Sequence, residues 1–196
     1  MTAHLCLLRD GPIGGADVLV TGGAGAVGFY AIQLAKHHGA RVIATVSGPR
    51  KAEDARRAGA DLVLDYRTQD VAAATLDFTG GRGIERVVEV EFGGNLDVTT
   101  KVLADNAVVS MYSSVAAPSP VVPALALMFK GATVHFCHLG LSPLPLRQAA
   151  QRGVVEWLRA GRARHRIALD APLARIAEAH EAIESGGRLG TVVVRP

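Results

Sequence analysis

Three groups of residues in this 196-residue chain have types and spacings that could do chemistry. The first is Thr21-Gly22-Gly23-Ala24-Gly25-Ala26-Val27-Gly28, which follows the β-branched run Val18–Val20 and opens a helical pattern. Within it Gly23, Gly25 and Gly28 fit G-x-G-x-x-G. In a strand-to-helix turn such a loop binds a pyrophosphate. The first glycine permits the tight turn, the second lets the backbone approach the anion, and the third lets the helix lie against the strand. The N-terminal amides of the helix then face the negative charge. A glycine-rich turn that binds nothing is the plainer alternative, and the strand-loop-helix context weighs against it.

The second group ends the next strand pattern. A dinucleotide with a free ribose hydroxyl is held there by Asp or Glu, about 20 residues past the loop. This chain has Ala44-Thr45-Val46-Ser47, with no carboxylate, and then Arg50 and Lys51. A hydroxyl and two cations suit a 2′-phosphate, which a carboxylate would repel. Cations are otherwise unfavourable at a helix start, so a ligand explains them better than decoration does. Together the two groups predict NADP(H) as the cofactor.

The third group promises more than it delivers. His135, Cys137 and His138 lie close together, but on a strand His138 points opposite to the other two, so no metal site is expected. A Tyr-x-x-x-Lys pair is ruled out, since Leu34, Asp70 and Ala116 stand four residues beyond Tyr30, Tyr66 and Tyr112. Ser113 and Ser114 lie in no nucleophile elbow. His37-His38 ends a helical pattern, where a cationic imidazole suits the dipole. No catalytic residue is assigned.

Positioning these groups requires a particular set of elements. From Asp17 on, short apolar runs at 18–20, 41–46, 62–64, 86–90, 107–111 and 133–139 alternate with helical patterns at about 26–38, 50–58, 69–77, 94–104, 122–130 and 145–160. Continuous rather than alternating apolar strands are those of a parallel sheet covered on both faces. The expected fold is α/β, a Rossmann-type doubly wound parallel six-stranded sheet with a C-terminal strand-helix-strand appendage at 167–169, 172–184 and 191–194. In the first helix Val27, Tyr30, Ala31, Leu34 and His38 recur at three- and four-residue steps and predict one buried stripe. Pro172 is placed to start the last helix, and Gly186-Gly187 to follow its end.

Bulk composition excludes several function classes. With 49% hydrophobic and 20% charged residues, the chain can bury a core without a disulfide or metal staple. Aromatics at 5% are too sparse for a nucleic-acid stacking platform, and the net charge is only +3. Arg159, Arg162, Arg164 and Arg166 read as a solvated helix end and loop rather than a nucleic-acid patch. The longest apolar run, Val121–Phe129, falls short of the ~20 residues that span a membrane. Leu5–Leu8 is too short for a signal-peptide core, and Cys6 and Cys137 form no C-x-x-C pair, so a reducing cytoplasm is the simplest setting.

Beyond these patterns, Val18–Gly28 resembles the cofactor loop of medium-chain dehydrogenases, in the zinc-independent quinone oxidoreductase branch. So do Gln33-Leu-Ala-Lys36, Gly39–Ser47, Ala58-Gly-Ala-Asp61, Asp65-Tyr-Arg67, Thr79–Gly83 and the ending from Pro172 to Val194. The resemblance implies that the loop from Ala24 to Val27 contacts the pyrophosphate and that Ser47, Lys51 and Tyr66 hold the 2′-phosphate end. It also implies that Met111, Tyr112 and Ser113 line the nicotinamide side. The chain departs from the branch at Val90-Glu91-Phe92-Gly93, where Asp-Ser or Asp-Thr often stands, so no ribose contact carries over to Glu91.

The branch implies hydride transfer from NADPH, without metal, to a small-molecule acceptor: a quinone or an activated alkene or carbonyl. Three segments are expected: a residual helix and turn at 1–15, the NADP(H)-binding domain at 16–161, and 162–196, which in relatives returns to a substrate domain. Relatives carry that GroES-like domain ahead of the cofactor domain. A non-catalytic NADPH-binding module, a truncated fragment, and the enoyl reductase portion of a larger enzyme therefore stand as alternatives. Relatives also pair their sixth strands, which here implies a homodimer through Thr133–Leu139.

Overall fold

A computed structural model describes residues 1–185 and 189–196; the glycine pair expected to end the last helix lies outside them. The chain opens with α1 (Thr2–Leu8), which buries Leu5, Cys6 and Leu7. Five strand-helix units follow. They are β1 (Asp17–Val20) with α2 (Ala26–His37), β2 (Arg41–Val46) with α3 (Pro49–Ala58), β3 (Leu62–Asp65) with α4 (Val71–Phe78), β4 (Ile84–Glu89) with α5 (Phe92–Val102), and β5 (Leu103–Met111) with α6 (Ala124–Phe129). Then come β6 (Thr133–Phe136) and α7 (Leu144–Arg159). The tail is β7 (Ile167–Pro172), α8 (Ile176–Glu184) and β8 (Thr191–Arg195).

Six strands form one sheet in the order β3-β2-β1-β4-β5-β6, every pair parallel. The order reverses between β1 and β4, and the crevice above their C-terminal ends is where such sheets take ligands. This is the expected doubly wound fold, with β7 and β8 pairing as a separate two-stranded sheet. One core cluster joins α1 to α2 and the strands beneath them, and includes Cys6, Cys137 and Trp157; a second fills the opposite face. The two cysteines, 131 positions apart, are both free and buried there.

Several boundaries differ from the sequence reading, each for a tertiary reason. Helix α2 buries more than one stripe: Ile32, Gln33 and Ala35 are covered as well as Ala31 and Leu34, because α1 closes a second side, whereas His38 is exposed. Strand β5 starts at Leu103, which pairs with Ile84 of β4, and turns at Asn106 (φ 59°), so Leu103 and Ala104, expected to end α5, belong to β5 instead. The last helix begins at Ile176, because Pro172 completes β7 opposite Arg195 and a short 3₁₀ turn intervenes. Strand β6 stops at Phe136; the His138 ring and carbonyl then accept from Leu141 and turn the chain into a 3₁₀ segment.

Candidate dinucleotide-binding site

The glycine loop hangs from neighbouring strands and leaves its own amides free. Thr21 donates from its backbone to the Val88 carbonyl at 3.0 Å, Gly23 to that of Thr45 at 2.9 Å, and Gly25 back to that of Gly22 at 2.8 Å. The left-handed residue of the turn is Gly22 (φ 64°), one position before the first glycine of the motif. At Gly28 a Cβ would stand 2.3 Å from the Gly22 oxygen, so only glycine lets α2 start this close to the strand. Among the described residues, the backbone N–H groups of Ala24, Ala26, Val27 and Gly28 have no acceptor. Four donors without a protein acceptor thus stand at the head of a 12-residue helix, an arrangement suited to an anion.

The 2′-phosphate candidates gather at the end of β2. Lys51 Nζ donates to Ser47 Oγ at 2.8 Å, and Arg50, exposed beside it, makes no ion pair among the described residues. Ser47, Arg50 and Lys51 line a cavity of about 240 Å³. Tyr66 is exposed at the end of β3 and borders a different cavity of about 320 Å³, with Thr21, Thr45, Asn95 and Thr99. The structure thus brings Ser47, Arg50 and Lys51 together and sets Tyr66 over the neighbouring cavity.

Met111 ends β5, and Tyr112 and Ser113 follow it directly. Met111 lies between Glu89 and Phe136 in the sheet, and Tyr112 N–H donates to the Glu89 carbonyl at 3.0 Å. Burial, and then the charges of Cys6 and Glu89, push the Tyr112 phenol well above its usual pKa. All three residues are half-buried at the crevice rim.

Two acidic residues missed by the sequence reading organise this rim. Glu89 is fully buried, and its carboxylate accepts from Thr21 Oγ1 at 2.7 Å, Glu91 N at 2.7 Å, Asn95 Nδ2 at 2.8 Å and Thr99 Oγ1 at 3.3 Å. Burial pushes its carboxyl above the usual carboxylate range, against the pull of those donors. Glu91, to which no ribose contact was carried over, ties down the loop after β5 instead. Its carboxylate accepts from the backbone of Val115 at 2.9 Å, Ala116 at 3.1 Å and Ala117 at 3.3 Å. A lone Glu at the end of a strand carries no signal of either role, because the donors lie 24 to 26 residues away for Glu91 and as far as 68 for Glu89.

The residues weighed as metal ligands are engaged elsewhere. His135 Nε2 lies 2.9 Å from an Asp10 oxygen, Arg9 reaches Cys137 Sγ at 3.8 Å, and His138 caps Leu141. The Cys6 thiol, and after it Arg9, draw the Cys137 thiol below its usual pKa against the opposing effect of burial, whereas Cys6 is pushed up.

A sequence profile of zinc-binding dehydrogenases matches residues 26–158, more than half of the chain. The chain belongs to that family. Across its whole length it is 29% identical to the 2-haloacrylate reductase of a Burkholderia species, covering 60% of that protein. Over 69 residues, 35% of this chain and 21% of the relative, it is 44% identical to a quinone oxidoreductase of Pseudomonas aeruginosa. The fold superposes on Escherichia coli quinone oxidoreductase complexed with NADPH at a TM-score of 0.82 and 25% identity, covering 100% of this chain and 62% of that one. The chain thus spans about three fifths of the 2-haloacrylate reductase and of the solved quinone oxidoreductase. The resemblance to the quinone oxidoreductase branch therefore holds, and the relatives are oxidoreductases. No helix among the described residues is long and apolar enough to cross a membrane.

Proposed function

We propose that this chain is the NADP(H)-binding portion of a quinone-reductase-type oxidoreductase. The observation that carries the reading is the set of four open amides between β1 and α2, with Ser47, Arg50 and Lys51 clustered after the neighbouring strand β2. In this reading Ala24, Ala26 and Val27 bind the pyrophosphate through the backbone, with Gly22, Gly23, Gly25 and Gly28 shaping the loop. Ser47, Arg50 and Lys51 select the 2′-phosphate, and Tyr66 covers the adenosine. Met111, Tyr112 and Ser113 border the nicotinamide. The bound cofactor supplies the hydride, and the chain orients it.

The acceptor class is a quinone or an activated alkene or carbonyl, in keeping with the names of the relatives. No residue of this chain is assigned as a catalytic acid or as a metal ligand; Asp10, Arg9 and Leu141 occupy the side chains that could have served. Three segments, 1–15, 16–161 and 162–196, with a cytoplasmic setting, complete the reading. A homodimer through β6 is part of it: Phe136 on that strand and Leu125, Met128 and Phe129 on α6 expose apolar surface beside the free sheet edge.

One experiment tests the whole. The purified chain is titrated with NADPH and NADH, sedimented at the same concentration, and assayed for turnover on a small quinone panel. NADPH binds on the order of tenfold to a hundredfold more tightly than NADH, and Lys51→Ala removes that preference without weakening NADH. Equal affinities in the parent chain would sink the assignment of Ser47, Arg50 and Lys51, and a monomer at all concentrations would sink the β6 dimer. Turnover decides between an oxidoreductase and a cofactor-binding module.

A further inference from the structure

Arg166 is the last residue before β7, and its side chain runs away from solvent into the cofactor loop. Its Nη2 donates to the Ala24 carbonyl at 3.0 Å and its Nη1 to Asp54 Oδ2 at 2.5 Å. The guanidinium carbon lies 3.8 Å from the centre of the Phe29 ring. The preceding residues are fastened beside it. Gln33 exchanges two hydrogen bonds with the Arg164 backbone, at 2.8 and 3.2 Å, and Tyr30 Oη meets His165 Nδ1 at 3.0 Å. Only 17% of the Arg166 side chain is exposed, so the cation is not one of the solvated arginines that its cluster suggested.

We propose that Arg166 is a positioning residue for the dinucleotide, holding the Ala24–Gly25 peptide in the orientation that leaves the loop amides open. The inference rests on the cofactor reading above and adds a residue to it. The peptide is held at both ends: its carbonyl accepts from Arg166, and its N–H donates to the Gly22 oxygen at 2.8 Å. A flip of that peptide would turn a carbonyl oxygen toward the phosphate site. Gly25 sits at φ −73°, and lacking a Cβ it would tolerate the positive φ that a flip demands, so sterics alone do not prevent it. Arg166 supplies a restraint on the carbonyl side, alongside the Gly25–Gly22 bond on the amide side.

Asp54 shows why an arginine is needed. It neutralises the cation and lies on α3, three and four residues after Lys51 and Arg50. One planar guanidinium thus ties the pyrophosphate loop to the helix that carries the 2′-phosphate cations, while its face packs on Phe29. A lysine has one ammonium and no face, and cannot make all three contacts.

The test uses the full chain with Arg166→Lys and Arg166→Ala. It reads hydrogen exchange of the segment 22–28 in the free chain, then NADPH and NADH affinity. Arg166→Lys keeps a cation for Asp54, so the unfolding temperature stays close to that of the parent. Exchange in 22–28 nevertheless rises, and both nucleotides weaken by the same factor, on the order of tenfold, because the pyrophosphate is common to them. Unchanged local exchange and affinity in Arg166→Lys would overturn the proposal, as would a rise in exchange spread evenly over the chain. If Arg166→Ala fails to fold, the lysine variant decides. A parent chain that binds neither nucleotide would overturn the cofactor reading, while the exchange data still test the restraint on the loop.

Discussion

Two runs of backbone amides face the same crevice, one after β1 and the other after β5, and they have opposite fates. In the glycine loop Ala24, Ala26, Val27 and Gly28 keep their N–H groups free among the described residues. In the loop after β5, Val115, Ala116 and Ala117 give theirs to the Glu91 carboxylate. Backbone donors strongly prefer a partner when water is excluded. An open set at a helix head is therefore a receptor for an anion from outside, and a set closed by the chain's own carboxylate is scaffold. In the proposed reading the first loop recognises the cofactor; the second is held in shape beside it.

The largest effect should come from breaking the open side. Gly28→Ala places a Cβ 2.3 Å from the Gly22 oxygen, which forces α2 off the strand and displaces the amides that follow the loop. NADPH binding should weaken more than about a hundredfold, with about 1–3 kcal/mol lost in denaturant unfolding from the forced contact. Retention of near-parent affinity in a calorimetric titration would mean that these amides are not the receptor, and the contrast between the loops would collapse.

How much of that contrast was legible in the sequence follows from the range of the contacts. The glycine loop was readable because its signal is local: a strand, three spaced glycines and a helix within 20 residues. Lys51 and Ser47 were readable for the same reason, being four apart at a helix start. The doubly wound parallel sheet followed from the alternation of apolar strands with helices. Arg166, Glu89 and Glu91 were not readable. A charged residue in a sequence is by default solvated, and what reverses the default here is a partner far along the chain: Asp54 lies 112 positions from Arg166 and Thr21 lies 68 from Glu89. Packing by α1 likewise hid the second buried side of α2, and an early capped turn shortened β6.

A smaller effect tests the closed side. Glu91→Ala leaves three donors without their acceptor at a half-exposed loop, where water replaces part of the loss. About 1–3 kcal/mol of stability should go, together with hydrogen-exchange protection across 112–118. Affinity for NADPH should fall far less than in Gly28→Ala, because the pyrophosphate loop is untouched. If Glu91→Ala instead abolished cofactor binding while leaving exchange in 112–118 unchanged, Glu91 would be a ligand contact and the two loops would be alike.

Glu89 gives the smallest effect, and its sign separates charge from shape. Its carboxyl is raised above the ordinary carboxylate range by burial, so the folded chain holds that proton more tightly than the unfolded chain does. Such a group favours the folded state fully below the ordinary carboxylate pKa of ~4.3, and that contribution is lost as pH rises through the folded value. Three of the four donors meet one oxygen, Oε1, and only Thr99, at 3.3 Å, meets the other. Glu89→Gln can keep its amide oxygen on the three strong donors and turn its NH₂ toward the Thr99 hydroxyl. It removes the buried charge without emptying the site, so stability near pH 7 should hold or rise by about 1 kcal/mol. The share of the pH dependence above the ordinary carboxylate range that comes from this group should disappear from a series of urea-unfolding measurements. A variant that loses several kcal/mol at pH 7 and keeps the parent slope would show that the ionised carboxylate itself holds Thr21 and the glycine loop to the end of β4.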